Sequence, residues 1–289
     1  MTTTAEAAPK PRTEHGSDPA AATLVLVGGH ESARAADLRQ FCSDSADSSP
    51  DGSPDSGAFG AFRAVPVGRE LATAVTDALA HADRPVCVLP MTLGRDPGLV
   101  ADTARALRWL TATGHRAPGR IVLAEPFGTP AHLIGWLRAA AGRTAGARRE
   151  DCAMLVTAPA AGPFEDAELF RVARLVSRYG THRRVEVAFD GGDPSPPEGV
   201  QRCLRLGARR VVLLSAGFGP ASTRPVQDAE DGGPLLGAPA LAAVLRARTA
   251  AALHRLAHGD DGIAAGLDAE HGHGYAHTHD HSATHPHRH

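Results

Sequence analysis

Apolar residues along this chain fall into short unbroken runs separated by amphipathic stretches. Thr23–Gly28 (TLVLVG), Pro85–Met91 (PVCVLPM), Arg120–Pro126 (RIVLAEP), Cys152–Pro159 (CAMLVTAP), Arg184–Phe189 (RVEVAF) and Arg209–Ala216 (RRVVLLSA) read as strands. Continuous rather than alternating apolarity marks strands buried on both faces, as in a parallel sheet covered by helices. Between them, Arg69–His81, Leu99–Thr111, Ala131–Ala141, Pro163–Ser177, Pro197–Leu206 and Pro239–Leu256 predict helices. In the second of these Leu99, Thr103, Ala106, Leu107 and Leu110 recur at helical spacing. Strand alternating with helix predicts a doubly wound α/β fold.

The pattern also repeats. TLVLVGGHESARAADL has a counterpart in CAMLVTAPAAGPFEDAELF, and VCVLPMTLGRDPG in VVLLSAGFGPASTRP. Pro126–Pro130 (PFGTP), leading into His132-Leu133, is matched by Pro234–Pro239 (PLLGAP), leading into Leu241. Three matches in one order predict two similar lobes, 23–142 and 151–256, each a mostly parallel sheet flanked by helices, facing each other across a cleft. Three polar segments lie outside this pattern: a leader over 1–22, an insertion over 43–60, and a tail over 259–289. They hold too little apolar surface to offset the entropy of ordering, so they are expected to be disordered.

Composition narrows the function classes. A net charge of −2 gives no electrostatic footprint for nucleic acid or a membrane surface. With aromatics at 4%, the packing falls to Ala, Val and Leu. Cys42, Cys87, Cys152 and Cys203 form no CxxC, and Cys87 and Cys152 sit in strand-like runs where a buried thiol is the ordinary outcome. A disulfide framework is not expected, which fits a reducing compartment. No apolar run is long enough to span a bilayer, and the leader lacks the apolar stretch of a signal peptide, so the expected location is the cytoplasm. Gly28-Gly29 does not extend to GxGxxG, and no organic cofactor is expected.

The tail is a separate signal. His271, His273, His277, His279, His281, His285, His287 and His289 are spaced so that a flexible chain can wrap an ion with two or more imidazoles. Interspersed Gly, Thr, Ser and Asp fix no geometry, so Co, Ni, Cu or Zn would bind with little selectivity. Affinity tags are usually uninterrupted runs, which this is not.

Three stretches resemble the sirohydrochlorin chelatase family, the class II chelatases that insert cobalt or iron into a reduced tetrapyrrole. Val27-Gly28-Gly29-His30-Glu31-Ser32 resembles the opening strand and turn that carry the family's metal-binding histidine. Val185–Phe218 resembles its strand, proline-started helix and Gly-Ala turn into the next strand, and Pro234–Leu245 its PLG-x-HP-x-L segment. The departures are specific. Glu31 stands where the family's GHGS turn has its second glycine. The second histidine, after the third strand of a half, has no match in Leu93–Pro97 or Gly217–Pro220. Ala238 replaces the histidine of the PLG segment, and in the first half His132 lies two residues past Thr129-Pro130. At most one half therefore keeps a metal site.

The resemblance implies a chelatase, a lyase whose substrates are a tetrapyrrole and a divalent metal, cobalt for preference, with ferrous iron or nickel as alternatives. Its reaction needs a metal ligand, a base for two pyrrole N–H protons, and a cleft. His30 follows a strand directly at the end where α/β sheets bind ligands, and an imidazole suits these metals. Glu31 and Asp96 are the candidate catalytic helpers, as carboxylate ligands or proton acceptors, and His132 is a further candidate ligand. Each has a plainer reading: His30 as a helix-capping side chain, Glu31 as a charge at a helix start, Asp96 as an N-cap before Pro97, and His132 as a surface residue beside Trp136. Glu125 could face the cleft, while His81, His115 and His182 fall at element ends and are expected in solvent. The alternatives to the enzyme are a metallochaperone or metal store that has lost catalysis, and a module that binds the tetrapyrrole alone. With both lobes in one chain, a monomer suffices.

Overall fold

The computed structural model describes residues 22–39, 62–113, 119–144, 151–180, 182 and 184–270. Most of the leader, the 43–60 insertion, Cys42, His115 and the histidines from His271 to His289 lie outside the described residues. The first half runs β1 (Thr23–Gly28), a 3-10 turn (His30–Ser32), β2 (Phe62–Pro66), α1 (Arg69–His81), β3 (Val86–Met91), α2 (Pro97–Ala112), β4 (Ile121–Leu123) and α3 (Pro130–Thr144). The second runs β5 (Cys152–Pro159), α4 (Pro163–Tyr179), β6 (Val185–Asp190), α5 (Pro196–Arg205), β7 (Arg210–Ser215), β8 (Glu230–Asp231) and α6 (Ala238–Ala257), followed by a short α7 (Ile263–Leu267).

Both sheets are parallel and share one order, β2-β1-β3-β4 and β6-β5-β7-β8. The strands that open the two halves, β1 and β5, are central in their sheets and are buried along almost their whole length, as their unbroken apolar runs require. All six expected strands and six expected helices are present. Two strands escaped the apolar pattern. β2 is an edge strand whose positions alternate in exposure, and β8 is two exposed acidic residues. A further correction concerns the tail: residues 259–270 are folded, not loose. Asp261 C=O accepts the N–H of Leu123 on β4 at 2.8 Å, and Ile263 and Leu267 insert into the outer core of the first half. Gly262 makes this approach feasible, with φ +71° and no room for a Cβ beside Leu123 C=O.

The two halves exchange their last helices. α3, from the first half, packs against α4 and β7 of the second, while α6, from the second, packs against β3 and β4 of the first. One core therefore runs through both, joining Leu26, Leu89 and Leu137 to Val156, Leu214 and Leu253. Smaller cores fill the outer faces, under α1, α2 and α7 on one sheet and under α5 on the other. The repeat is imperfect: no helix lies between β7 and β8 where the first half has α2. Cys87, Cys152 and Cys203 are free and buried, as strand and helix-core thiols should be; burial pushes Cys87 up to about 12 and Cys203 to about 11. No described helix is long and apolar enough to cross a membrane.

Phe127 sits where the halves meet. Its buried ring lies 5.3 Å edge-on from Phe218 and 5.5 Å from Trp136. Phe127→Ala should cost about 3–5 kcal/mol and, because the core is shared, lower the stability of both halves together. Urea unfolding followed by far-UV circular dichroism checks this: one transition at a lower midpoint is expected, and two separated transitions would contradict a shared core.

Candidate metal centre

The chain leaves β1 through a tight turn. A Cβ at Gly28 would lie 2.4 Å from the backbone N of Ala35, so glycine alone fits there. The 3-10 turn carries His30, Glu31 and Ser32, and Ala33, Arg34 and Ala35 then follow at φ 46°, 53° and 73°. Left-handed backbone costs an L-residue about 1–2 kcal/mol, so three in a row store strain. The turn is held by the Arg34 N–H donating to Gly29 C=O at 2.9 Å and by burial of Glu31, Ser32 and Ala35. Strain of this kind gathers at functional sites.

His30 meets Asp96 at the start of α2. Its Nδ1 lies 3.0 Å from Asp96 Oδ2, with the two side chains only 22% and 16% exposed. The other oxygen, Oδ1, caps α2 by accepting the Leu99 N–H at 2.9 Å. Gly29 is required here too, since a Cβ on it would lie 2.2 Å from Asp96 Oδ2. Burial alone would raise the Asp96 pKa. The hydrogen bond and charge of His30 and the N–H groups of Leu99 and His30 together outweigh it and hold Asp96 below its ordinary value. An ionised carboxylate only accepts, so Nδ1 donates; in the neutral form of the ring, the form that can bind a metal, Nε2 carries the lone pair. Nε2 is buried and has no partner among the described residues. A carboxylate that fixes one ring nitrogen and frees the other is the usual support of a metal-ligating histidine.

Glu31 stands in the first turn of the 3-10 helix. Its carboxylate is fully buried at the junction of the halves, where Oε2 accepts from the Thr92 hydroxyl and from the Leu93 N–H at 2.9 Å. Oε1 has no partner among the described residues. Burial pushes its pKa up, against the opposing charges of Arg95 and His30 and the bonds from Thr92 and Leu93. Arg95, unremarked in the sequence, is wholly buried and reaches the second half: Nε donates to Glu165 C=O at 3.2 Å and Nη2 to Asp166 Oδ1 at 3.3 Å. The Phe218 N–H returns a bond to Glu31 C=O at 2.8 Å. The turn that presents His30 is thus clamped between the lobes.

A cavity of about 480 Å3 opens beyond the carboxyl ends of β3 and β4, with Thr92 and Asp96 on one wall. Glu125 lines it as the sequence suggested, held by Arg248 and, at 3.4 Å, by Arg255. The opposite wall is Arg255, Asp260 and α7, the segment expected to be disordered. His132 is not part of this cluster. It is exposed at the start of α3, with Nδ1 2.9 Å from Thr129 Oγ1 and its ring stacked 5.5 Å from Trp136. His81 is exposed as expected, but His182 is buried. Among the described residues no three His, Cys, Asp or Glu side chains converge as a complete metal site.

Two doubly similar four-stranded parallel sheets define the class of α/β protein to which this chain belongs, and known proteins share it. No protein-family model matches the chain. A sirohydrochlorin cobaltochelatase from Priestia megaterium is 37% identical over 67 residues, a stretch that spans 22% of this chain and 22% of that protein. The solved structure of SirB from Bacillus subtilis with Fe3+ superposes with a TM-score of 0.54 at 11% identity, covering 83% of this chain and 98% of SirB. The fold is thus similar to that of SirB, and one stretch covering about a fifth of the chain is similar in sequence to a sirohydrochlorin cobaltochelatase.

The buried Glu31 carboxyl makes stability depend on pH. Its folded pKa is raised above 4.5, so its contribution is fully present below that value and is lost as pH rises through the folded pKa. Glu31→Gln should remove this loss: relative to wild type, its urea midpoint should climb as pH is raised above 4.5. Parallel pH profiles of the two midpoints would contradict the assignment.

Proposed function

We infer that the protein inserts a divalent metal ion, cobalt for preference, into sirohydrochlorin or a closely related tetrapyrrole. The observation that carries this reading is His30 Nε2, a buried lone pair without a partner, on a ring fixed by Asp96 at the carboxyl end of a central strand. The named activity of the Priestia relative and the fold of SirB support it.

The metal is a substrate and must be held loosely. One imidazole, with water filling the other positions, gives the open, exchangeable sphere that insertion requires and a closed structural site would prevent. Asp96 orients that imidazole; engaged with His30 and held at a low pKa, it is a poor proton acceptor. Glu31 is the better base of the two, with its raised proton affinity and unpartnered Oε1. Each insertion releases two pyrrole protons, which would reach the buried Glu31 only through a relay of intervening groups and otherwise leave to solvent. His132, exposed at the start of α3, and the tail histidines would serve as accessory metal-holding groups.

A second reading, a metallochaperone or store, is favoured by the lack of a third converging ligand among the described residues. An absorbance assay with sirohydrochlorin and Co2+ separates the two. Wild type should insert cobalt faster than the uncatalysed background, and His30→Ala should fall to that background. Asp96→Asn should weaken metal affinity about 10–100-fold, as loss of a ligand's supporting partner typically does. Wild type no faster than background, with cobalt still bound, would leave the store.

A further inference from the structure

The last helix of the second half ends in two histidines four residues apart. His254 and His258 are both exposed, and their rings lie 4.5 Å apart between centroids. Residues at i and i+4 share one helix face, and a histidine pair at that spacing is a common bidentate metal ligand set. The ring separation suits one shared ion: metal–nitrogen bonds of about 2.0–2.1 Å set ring centres about 4.5–5 Å apart when two imidazoles bind side by side.

His258 is also poised as a ligand. Its Nδ1 lies 2.8 Å from His254 C=O, and a carbonyl only accepts, so Nδ1 carries the proton and Nε2 of the neutral ring is left as the donor atom. Its own N–H donates to Arg255 C=O at 2.9 Å, which fixes the backbone of the helix end. His81, at the end of α1, makes the same Nδ1 bond to Asp77 C=O, but its i−4 neighbour is an aspartate engaged with Arg63. The nearest cation along α6, Arg255, is drawn toward the cavity wall by Leu123 C=O, Glu125 and Asp260. It therefore does not oppose an ion on the histidine face.

We propose that His254 and His258 form a divalent-metal loading site on the surface of α6, distinct from His30 and taking Co2+, Ni2+, Zn2+ or Cu2+. Two imidazoles leave most of the coordination sphere to water, which suits a site that gives up its ion. The position is apt, because Arg255, between the two histidines in sequence, lines the cavity whose other wall holds Asp96. In the chelatase reading, that cavity would be the destination of an ion released here. The assignment of the ligands stands without the chelatase reading; only the destination of the ion rests on it.

The test uses the full chain with all eight tail histidines replaced by Asn, titrated calorimetrically with Ni2+. Loss of one of two imidazoles should weaken the loading site at least tenfold, in His254→Ala and in His258→Ala alike, while His81→Ala, the lone helix-end histidine, binds as the parent does. Both substituted positions are exposed, and unchanged thermal unfolding of the metal-free variants confirms that the fold is kept. If Ni2+ binding is unchanged in His254→Ala, or disappears only in His30→Ala, the proposal is overturned while the chelatase reading is untouched. If the histidine pair binds but no cobalt is inserted into sirohydrochlorin, the chelatase reading fails and the site remains.

Discussion

The hydrogen bond from His30 Nδ1 to Asp96 Oδ2, 3.0 Å long, joins two elements that the rest of the site is built around. One end is fixed by the strained turn after β1, the other by the N-cap of α2, where the same aspartate accepts the Leu99 N–H. Neither residue can shift without the other. Gly29 exists to admit the carboxylate, and Gly28 to let the chain double back on itself. The consequence is chemical: the ring is locked in the tautomer that leaves Nε2 available.

The turn would not hold this geometry alone. Behind it, the Glu31 carboxyl and the Arg95 guanidinium are both buried at the boundary of the lobes, and Arg95 grips the first turn of α4. Buried ionic groups are a poor source of net stability but a strict constraint on arrangement, because a displaced partner leaves an uncompensated charge. The exchange of α3 and α6 between the halves adds an apolar constraint of the same kind. The site-forming loops of the first lobe are therefore positioned by the second.

Much of this was legible in the sequence. The unbroken apolar runs revealed six of the eight strands, because a strand buried on both faces has no polar positions to disguise it, and the paired segments revealed two lobes. β2 and β8 were hidden for the converse reason: edge strands need not be apolar on both faces. α7 was hidden by its length, five residues with one buried isoleucine, among polar neighbours. His30 and Asp96 were visible as candidates, since each follows directly on a strand end or precedes a helix. Their pairing was not, since it depends on β1 and β3 lying side by side in the sheet. Arg95 gave no signal, because in sequence a buried arginine looks like a surface one. The burial of Glu31 gave no signal, since nothing local announces that its partners come from the turn after β3, 61 and 62 residues on.

The account stands or falls on the tautomer and availability of one ring. Nitrogen-15 NMR of the histidine side chains, with the His30 signals identified by their loss in His30→Ala, reads both. In the metal-free protein His30 should be protonated at Nδ1 and bare at Nε2, and excess Zn2+ should shift the Nε2 resonance. A ring protonated at Nε2, or an Nε2 signal unmoved by a metal that binds elsewhere on the chain, would contradict it.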